Sequence, residues 1–316
     1  MIHREVFVKA LAKFCLALVV TGCATTPPDP QPFQQFLDAT SQVAQSADQA
    51  IALEYEQSLA AYENRFRTGE EKDISKLFLA FDPKGVFDVA YNDEPVFIAI
   101  GEQRRQLVKL NQLATEYAAL LFRIVGSSGA YDVAEQAKAL NTETGKLMAS
   151  VKELTGAEAS APSSRLEKVD ATALLSTAFA TAAKAYIENK RRKDLTELLK
   201  LGQPVMDTYG DLGQVIARSA SASLKVQYSN QFRALVQTDR KDVKAVLALN
   251  DTFLKQLKLL RELDGAFQAL PQEHARLTAA VAASAEVSFR SLIERAKVLK
   301  ALYEELAKAN AAATVK

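Results

Sequence analysis

The sequence predicts an all-α protein built as an elongated bundle of about seven helices. Apolar residues recur every three or four positions through most of the chain, which is the period of a helix. In the segments 107–124 and 133–154 the steps of three and four alternate strictly, as in helices that pack at a shallow angle in bundles and coiled coils. Both observations indicate long helices that each bury one apolar stripe.

The boundaries of these helices follow from the stripes and from the turn signals between them. Pro204 and Pro271 suit the first turn of a helix, so each is expected to begin one. Asp194 and Glu197 resemble a capping box, which predicts a kink near residue 193. The last helix would be about 60 Å long at about 1.5 Å per residue. The predicted helices cover residues 34–67, 95–125, 131–155, 165–201, 204–236, 240–266 and 271–311.

The segment 156–164 is the best candidate for a boundary within the bundle. It is small and polar and contains Pro162, a composition typical of a linker or a long loop. The sequence therefore predicts an N-terminal helical half, residues 34–155, and a C-terminal helical half, residues 165–316.

Residues 68–94 interrupt the helical regularity. Residues 74–81 are predicted to form one short helix, and residues 82–85 are a turn signal. Residues 86–91 have the composition of a short strand, which could pair with residues 96–100 as a β-hairpin. We prefer Pro95 as the start of the second helix, because Val96 and Ile100 continue its apolar stripe.

This irregular segment is also rich in aromatic residues. Their first interpretation is structural, as side chains that cap one end of the bundle. Their second interpretation is a patch that binds a partner, since exposed aromatic side chains often anchor interfaces. The residues concerned are Phe78, Phe81, Phe87, Tyr91 and Phe97.

The first 23 residues have the pattern of an export signal. Basic residues precede the apolar run 14–20, and small residues lead from it to Cys23. A run this short does not span a bilayer, because a spanning helix needs about 20 apolar residues. The stretch Val-Thr-Gly-Cys at residues 20–23 resembles the lipobox of bacterial lipoprotein precursors. The resemblance implies that residues 1–22 are removed and that Cys23 becomes covalently lipidated.

The same resemblance implies a location in the cell. Several acyl chains hold a protein durably at a membrane, whereas one chain does so only marginally. Ala24 follows the cysteine, and in this class the absence of aspartate there favours the outer membrane of a Gram-negative host. Residues 23–33 form a proline-rich tether, whose extended conformation would keep the folded part within about 30 Å of the lipid. We therefore expect the folded part to lie at the periplasmic face of the outer membrane.

Composition argues against several kinds of activity. Removal of residues 1–22 takes three basic residues and one acidic residue from totals of 39 and 38, so the remainder is nearly neutral and is not expected to bind nucleic acid. Cys23 is then the one cysteine and His274 the one histidine. A zinc site or a nucleophile with a histidine base needs more such residues. We expect no enzyme and no cofactor beyond the covalent lipid, with His274 at the surface or in packing.

One dense charge run stands out. It is expected to lie on a helix, where four consecutive side chains point in all directions and form no one-sided face. Its plainer interpretation is a solvated stretch, and its functional interpretation is a contact with phosphate on lipid headgroups. The run consists of Lys190, Arg191, Arg192 and Lys193.

Taken together, these features favour a structural or protein-interaction component of the bacterial cell envelope. The expected partners are the membrane, through the lipid, and an envelope protein, with self-association left open. One alternative is a bundle that binds a small apolar or lipid-like molecule between its helices. Further alternatives are a helical pore-former or membrane remodeller and a cell-wall glycosidase that uses a carboxylate pair.

Overall fold

Long helices make up most of the described chain, as the apolar period predicts. A computed structural model describes residues 28–69, 71–72, 79–81, 89–91, 96–126, 133–155, 177–237 and 243–314. The helices are α1 (Gln31–Arg67), α2 (Val96–Gly126), α3 (Val133–Thr155), α4 (Thr177–Asn189), α5 (Arg192–Gln237), α6 (Val243–Ala283) and α7 (Arg290–Thr314).

The helices pack as an elongated bundle with two distinguishable ends. We call one end proximal, since Pro28, where the described chain begins, lies there beside Arg192 and Ser284. We call the other end distal, where Tyr62 of α1 lies close to Gln227 of α5. Helix α1 has 37 residues, so at about 1.5 Å per residue it spans roughly 55 Å between them. It begins at Gln31, so the prediction of an extended tether is wrong for residues 31–33.

Side chains from all seven helices form one buried apolar cluster. Contacts cross between the two predicted halves: Ser46 Oγ of α1 donates a hydrogen bond to the carbonyl oxygen of Ala296 in α7, at 3.2 Å. The two halves therefore share a core. The linker 156–164 lies outside the described residues, and the division into two halves stays a prediction.

Two prolines lie inside helices, so the prediction that they begin helices is wrong. Helix α5 continues through Pro204 and helix α6 through Pro271. An interior proline costs about 3 kcal/mol because it removes a backbone hydrogen bond. Burial of apolar neighbours on both sides, such as Val205 and Leu270, offsets that cost at about 1.5–3 kcal/mol for each side chain.

The real helix breaks lie elsewhere. Ser284 has φ 56°, and α7 begins only at Arg290, so the single helix predicted for 271–311 is wrong. The chain also breaks between α4 and α5, where Lys190 has φ 51°. That break lies close to the kink predicted near residue 193, and residues 165–176 of the predicted fourth helix lie outside the described chain.

A short hairpin occupies part of the irregular segment. Strands β1 (Leu79–Phe81) and β2 (Val89–Tyr91) pair antiparallel, with Ala80 opposite Ala90. The prediction of a helix is therefore wrong for residues 79–81, and residues 96–100 are not the strand partner. Helix α2 begins at Val96, close to the preferred start at Pro95. Ile100 is buried in the bundle, which explains why this stretch is helical.

Candidate functional site

His274 belongs to a buried hydrogen-bond network. The side chain is fully buried, with Nδ1 2.8 Å from Gln203 Oε1 and Nε2 3.0 Å from the hydroxyl of Tyr117. Gln203 Nε2 donates to Asp207 Oδ1 at 2.8 Å and to the carbonyl oxygen of Pro271 at 3.1 Å. The glutamine oxygen therefore faces the ring, so Nδ1 carries the proton and donates, while Tyr117 donates to Nε2.

This arrangement ties three helices together in the core. Burial lowers the pKa of His274 to about 3, so the ring is neutral at physiological pH. The rings of Phe36 and Tyr117 pack around it, with centroids 5.8 and 5.7 Å away. The His274 side chain is thus packed in the core, and both of its ring nitrogens have hydrogen-bond partners.

The basic run lies at the proximal end rather than along a continuous helix. Lys190 and Arg191 fall between α4 and α5, so the expectation of side chains pointing all around one helix is wrong. The ammonium of Lys190 is 5.1 Å from the Tyr186 ring centroid, and Arg191 pairs with Asp194 at 2.9 Å. Arg192 donates to Ser284 Oγ, and the Lys193 side chain is exposed. Cys23 lies outside the described residues, five positions before Pro28.

The aromatic segment is only partly described. Phe78 and Phe87 lie outside the described residues, and Phe81 and Tyr91 are described in their backbone alone. The ring of Phe97 packs on Tyr55 and Tyr62 of α1, with centroid distances of 6.4 and 5.1 Å. This one member therefore lies at the distal end of the bundle, and the partner patch stays a prediction.

A cleft opens at the distal end between α1 and the helical hairpin formed by α5 and α6. It has two adjoining hollows, of about 260 and 410 Å³, which share Gln227, Gln231 and Leu249. The smaller hollow includes Tyr62 and Phe97 in its walls. The larger hollow is lined by Glu56, Gln57, Ala60, Leu224, Gln227, Tyr228, Gln231, Leu249, Thr252, Phe253 and Gln256.

The opposite face of this hairpin exposes apolar side chains. Tyr228 of α5 stacks on Phe253 of α6 at 4.2 Å, which marks where the two helices face each other. Successive residues turn by about 100°, so the exposed residues lie on one side of this contact and the cleft-lining residues on the other. We call this surface the outer face. Its exposed fractions are 37% for Phe232, 52% for Val236, 66% for Val243, 61% for Leu247 and 62% for Leu254.

The outer face is also positively charged. Five exposed cations lie along it or at its edges, and none has an ion-pair partner within the described part of the chain. The acids nearby are engaged, since Asp251 pairs with Lys255 and Asp264 pairs with Arg218. The five cations are Lys225, Arg233, Lys244, Lys258 and Arg261.

Sequence reasoning missed the outer face. Val243 belongs to the predicted helix 240–266 and is two-thirds exposed in the structure. Leu247 and Leu254 lie seven residues apart and form a second apolar stripe beside the one that contains Phe253. Two apolar stripes on one helix were the available signal, because packing in the bundle uses only one of them.

The described residues were also searched for metal-binding groups and for membrane-spanning helices. Within the ranges given above, no group of three or more His, Cys, Asp or Glu side chains is placed to hold a metal ion. None of the helices in the described ranges combines the length and the apolar composition that a bilayer-spanning segment needs. Comparison of the sequence with protein-family models, with curated proteins and with solved structures gives no match.

Proposed function

We propose that the protein is a lipid-anchored interaction component of the bacterial cell envelope, which binds a protein partner through the outer face at its distal end. The observation that carries the proposal is the row of apolar side chains on that face, each 37–66% exposed. Neighbouring apolar side chains exposed together typically mark an interaction site. The lipid on Cys23 would attach the other end of the bundle to the outer membrane.

The geometry supports an upright arrangement. Pro28 lies at the proximal end, and only residues 24–27 separate it from Cys23. The basic run 190–193 lies at the same end, where it would meet phosphate on lipid headgroups. The outer face then lies roughly 55 Å further out, at the far end of α1.

Charge indicates what the partner is. The exposed cations around the outer face favour a partner whose apolar contact surface has acidic edges. The exposed apolar side chains lie on both α5 and α6, so the apolar side of an amphipathic helix would pack along the two helices. A second copy of this chain would oppose like charges, so we assign the face to an acidic amphipathic helix of another envelope protein.

The anchor is tested by Cys23→Ser. We expect the variant to accumulate unprocessed or to leave the membrane fraction, because the acyl chains are attached only to that sulfur. Membrane fractionation and the mass of the purified protein measure both effects. The variant Ala149→Ser, at an exposed position of α3, is the control and should fractionate like the parent protein. A parent protein without lipid mass would contradict the anchor.

The outer face is tested by placing a photoreactive amino acid at single positions in the native host. We expect crosslinks to one discrete protein from positions 247 and 254, and their loss when Phe232 is replaced by Ser. Val108 and Val298 are 43% and 40% exposed on other helices and serve as matched controls. Crosslinks to lipid, to a second copy of the chain, or equally from the two control positions would each refute this assignment.

A further inference from the structure

Gln57, which lines the distal cleft, has a carboxamide without hydrogen-bond partners among the described residues. Neither Nε2 nor Oε1 of Gln57 has a hydrogen-bond partner in the described part of the chain, although both are shielded from solvent. An unsatisfied buried group costs about 1–3 kcal/mol, so native proteins usually satisfy such groups with water or a ligand.

The larger hollow, which Gln57 lines, has room for a ligand. Its volume of about 410 Å³ falls within the range of roughly 300–1,000 Å³ that is typical of small-molecule sites. Four glutamine side chains line it, together with the hydroxyl-bearing Thr252. Each carboxamide offers both donors and an acceptor, so the wall matches a ligand that is rich in hydroxyl or amide groups.

The remaining lining narrows the ligand class. Among the described residues, no lysine or arginine lines the larger hollow, and Glu56 is its one charged residue, so an anion is disfavoured. The stacked rings of Tyr228 and Phe253 offer an apolar surface beside the carboxamides. A purely apolar ligand, the alternative expected from the sequence, would leave the glutamine groups unsatisfied.

We propose that the larger hollow of the distal cleft binds an uncharged saccharide that has acetamido groups. Hydroxyl and acetamido groups would hydrogen-bond with Gln227 and Gln231, and with Gln57 after its carboxamide turns towards the hollow. An apolar sugar face would lie against Leu249 and Phe253. This site lies on the opposite side of the α5–α6 hairpin from the outer face. Binding at the hollow and binding at the outer face can therefore be tested independently of each other.

The test uses the mature protein in detergent micelles and isothermal titration calorimetry with four probes. These are N,N′-diacetylchitobiose, cellobiose, octanoate and a capped neutral tripeptide. We expect saturable binding of diacetylchitobiose, at least tenfold tighter than cellobiose, because only the former has acetamido groups to pair with the carboxamides. Absence of saturable binding would mean that water alone fills the hollow, and octanoate or the tripeptide binding as tightly would indicate another ligand class. Each of these results would overturn the proposal.

Substitutions of lining residues test whether diacetylchitobiose binds in the larger hollow. Gln57→Leu and Gln231→Leu are each expected to weaken diacetylchitobiose binding at least tenfold. Gln57→Leu should leave the melting temperature unchanged or raise it, because it removes an unsatisfied carboxamide. Gln268→Leu, an exposed position of α6 outside the cleft, is the matched control and should bind like the parent protein. Unchanged binding by both cleft variants would overturn the assignment.

Discussion

The free energy of unfolding is expected to be highest between about pH 4.5 and 6.5 and to fall on both sides of that window. Two buried groups in different parts of the core produce the two limbs. Burial lowers the pKa of His274 from 6.5 to about 3 and raises the pKa of Glu54 from 4.5 to about 8. Each pH unit between a group's folded and unfolded pKa is worth about 1.4 kcal/mol.

The acid limb belongs to His274. Below pH 6.5 the unfolded chain gains a proton on this histidine, while the folded chain stays neutral down to about pH 3. The contribution of His274 to the free energy of unfolding is therefore greatest above pH 6.5. It decreases as the pH falls, by on the order of 5 kcal/mol in all. Between pH 4.5 and 6.5 this loss is offset by the opposite effect of Glu54.

The alkaline limb belongs to Glu54. Above pH 4.5 the unfolded chain releases this proton, while the folded carboxyl retains it up to about pH 8. The contribution of Glu54 to the free energy of unfolding is greatest below pH 4.5. It decreases as the pH rises, again by on the order of 5 kcal/mol. Burial also raises the pKa of Asp48, which acts in the same direction.

Urea unfolding followed by circular dichroism from pH 3 to 8.5 measures both limbs. Glu54→Gln keeps the shape of the side chain and should flatten the alkaline limb, and His274→Gln should flatten the acid limb. The slopes are the readout, because His274→Gln also disturbs the hydrogen bonds to Tyr117 and Gln203. An alkaline slope that persists in Glu54→Gln would show that another group causes it.

The extents of α2 and α3 were predictable because the apolar period is a local property. Helix α2 runs from Val96 to Gly126 against a prediction of 95–125, and α3 runs from Val133 to Thr155 against 131–155. In these segments every turn contributes a buried residue to the same core. The stripe and the helix therefore end together.

The local sequence around Pro204 and Pro271 does not predict whether a helix begins at these prolines or continues through them. Pro204 and Pro271 have the same local preference as prolines that begin helices. Whether a helix continues through one of them depends on how much apolar surface the flanking turns bury against distant parts of the chain. Met206 and Leu277 are fully buried in the core, and nothing in their neighbourhood along the sequence indicates it.

The candidate site was less accessible to sequence reasoning for a related reason. Glutamines 57, 227 and 231 are ordinary helix-surface residues in the sequence, and only the packing of α1 against the α5–α6 hairpin brings them around one hollow. The same packing determines which apolar stripe of α6 is covered and leaves Leu247 exposed. A periodic stripe predicts that a helix has an apolar face, but it does not predict which neighbours cover that face.

The close approach of α5 and α6 depends on two glycines. A Cβ atom at Gly210 would lie 2.9 Å from the carbonyl oxygen of Phe267 and 3.0 Å from Cδ of Pro271. At Gly213 a Cβ atom would overlap the ring of Phe267, which is 1% exposed. The second glycine is the more demanding position, since the enclosed ring of Phe267 has no space to move into.

Gly213→Ala is therefore expected to destabilise the bundle by about 2–3 kcal/mol, although alanine favours an isolated helix by about 1 kcal/mol. Urea unfolding measures the loss. The control is Gly126→Ala, since a Cβ atom there meets nothing within 4 Å and should cost little. Adding Phe267→Leu vacates the space that the new methyl group needs, so the double variant should lose less than the sum of the two single losses. Strictly additive losses would show that the Phe267 ring does not enforce glycine at position 213.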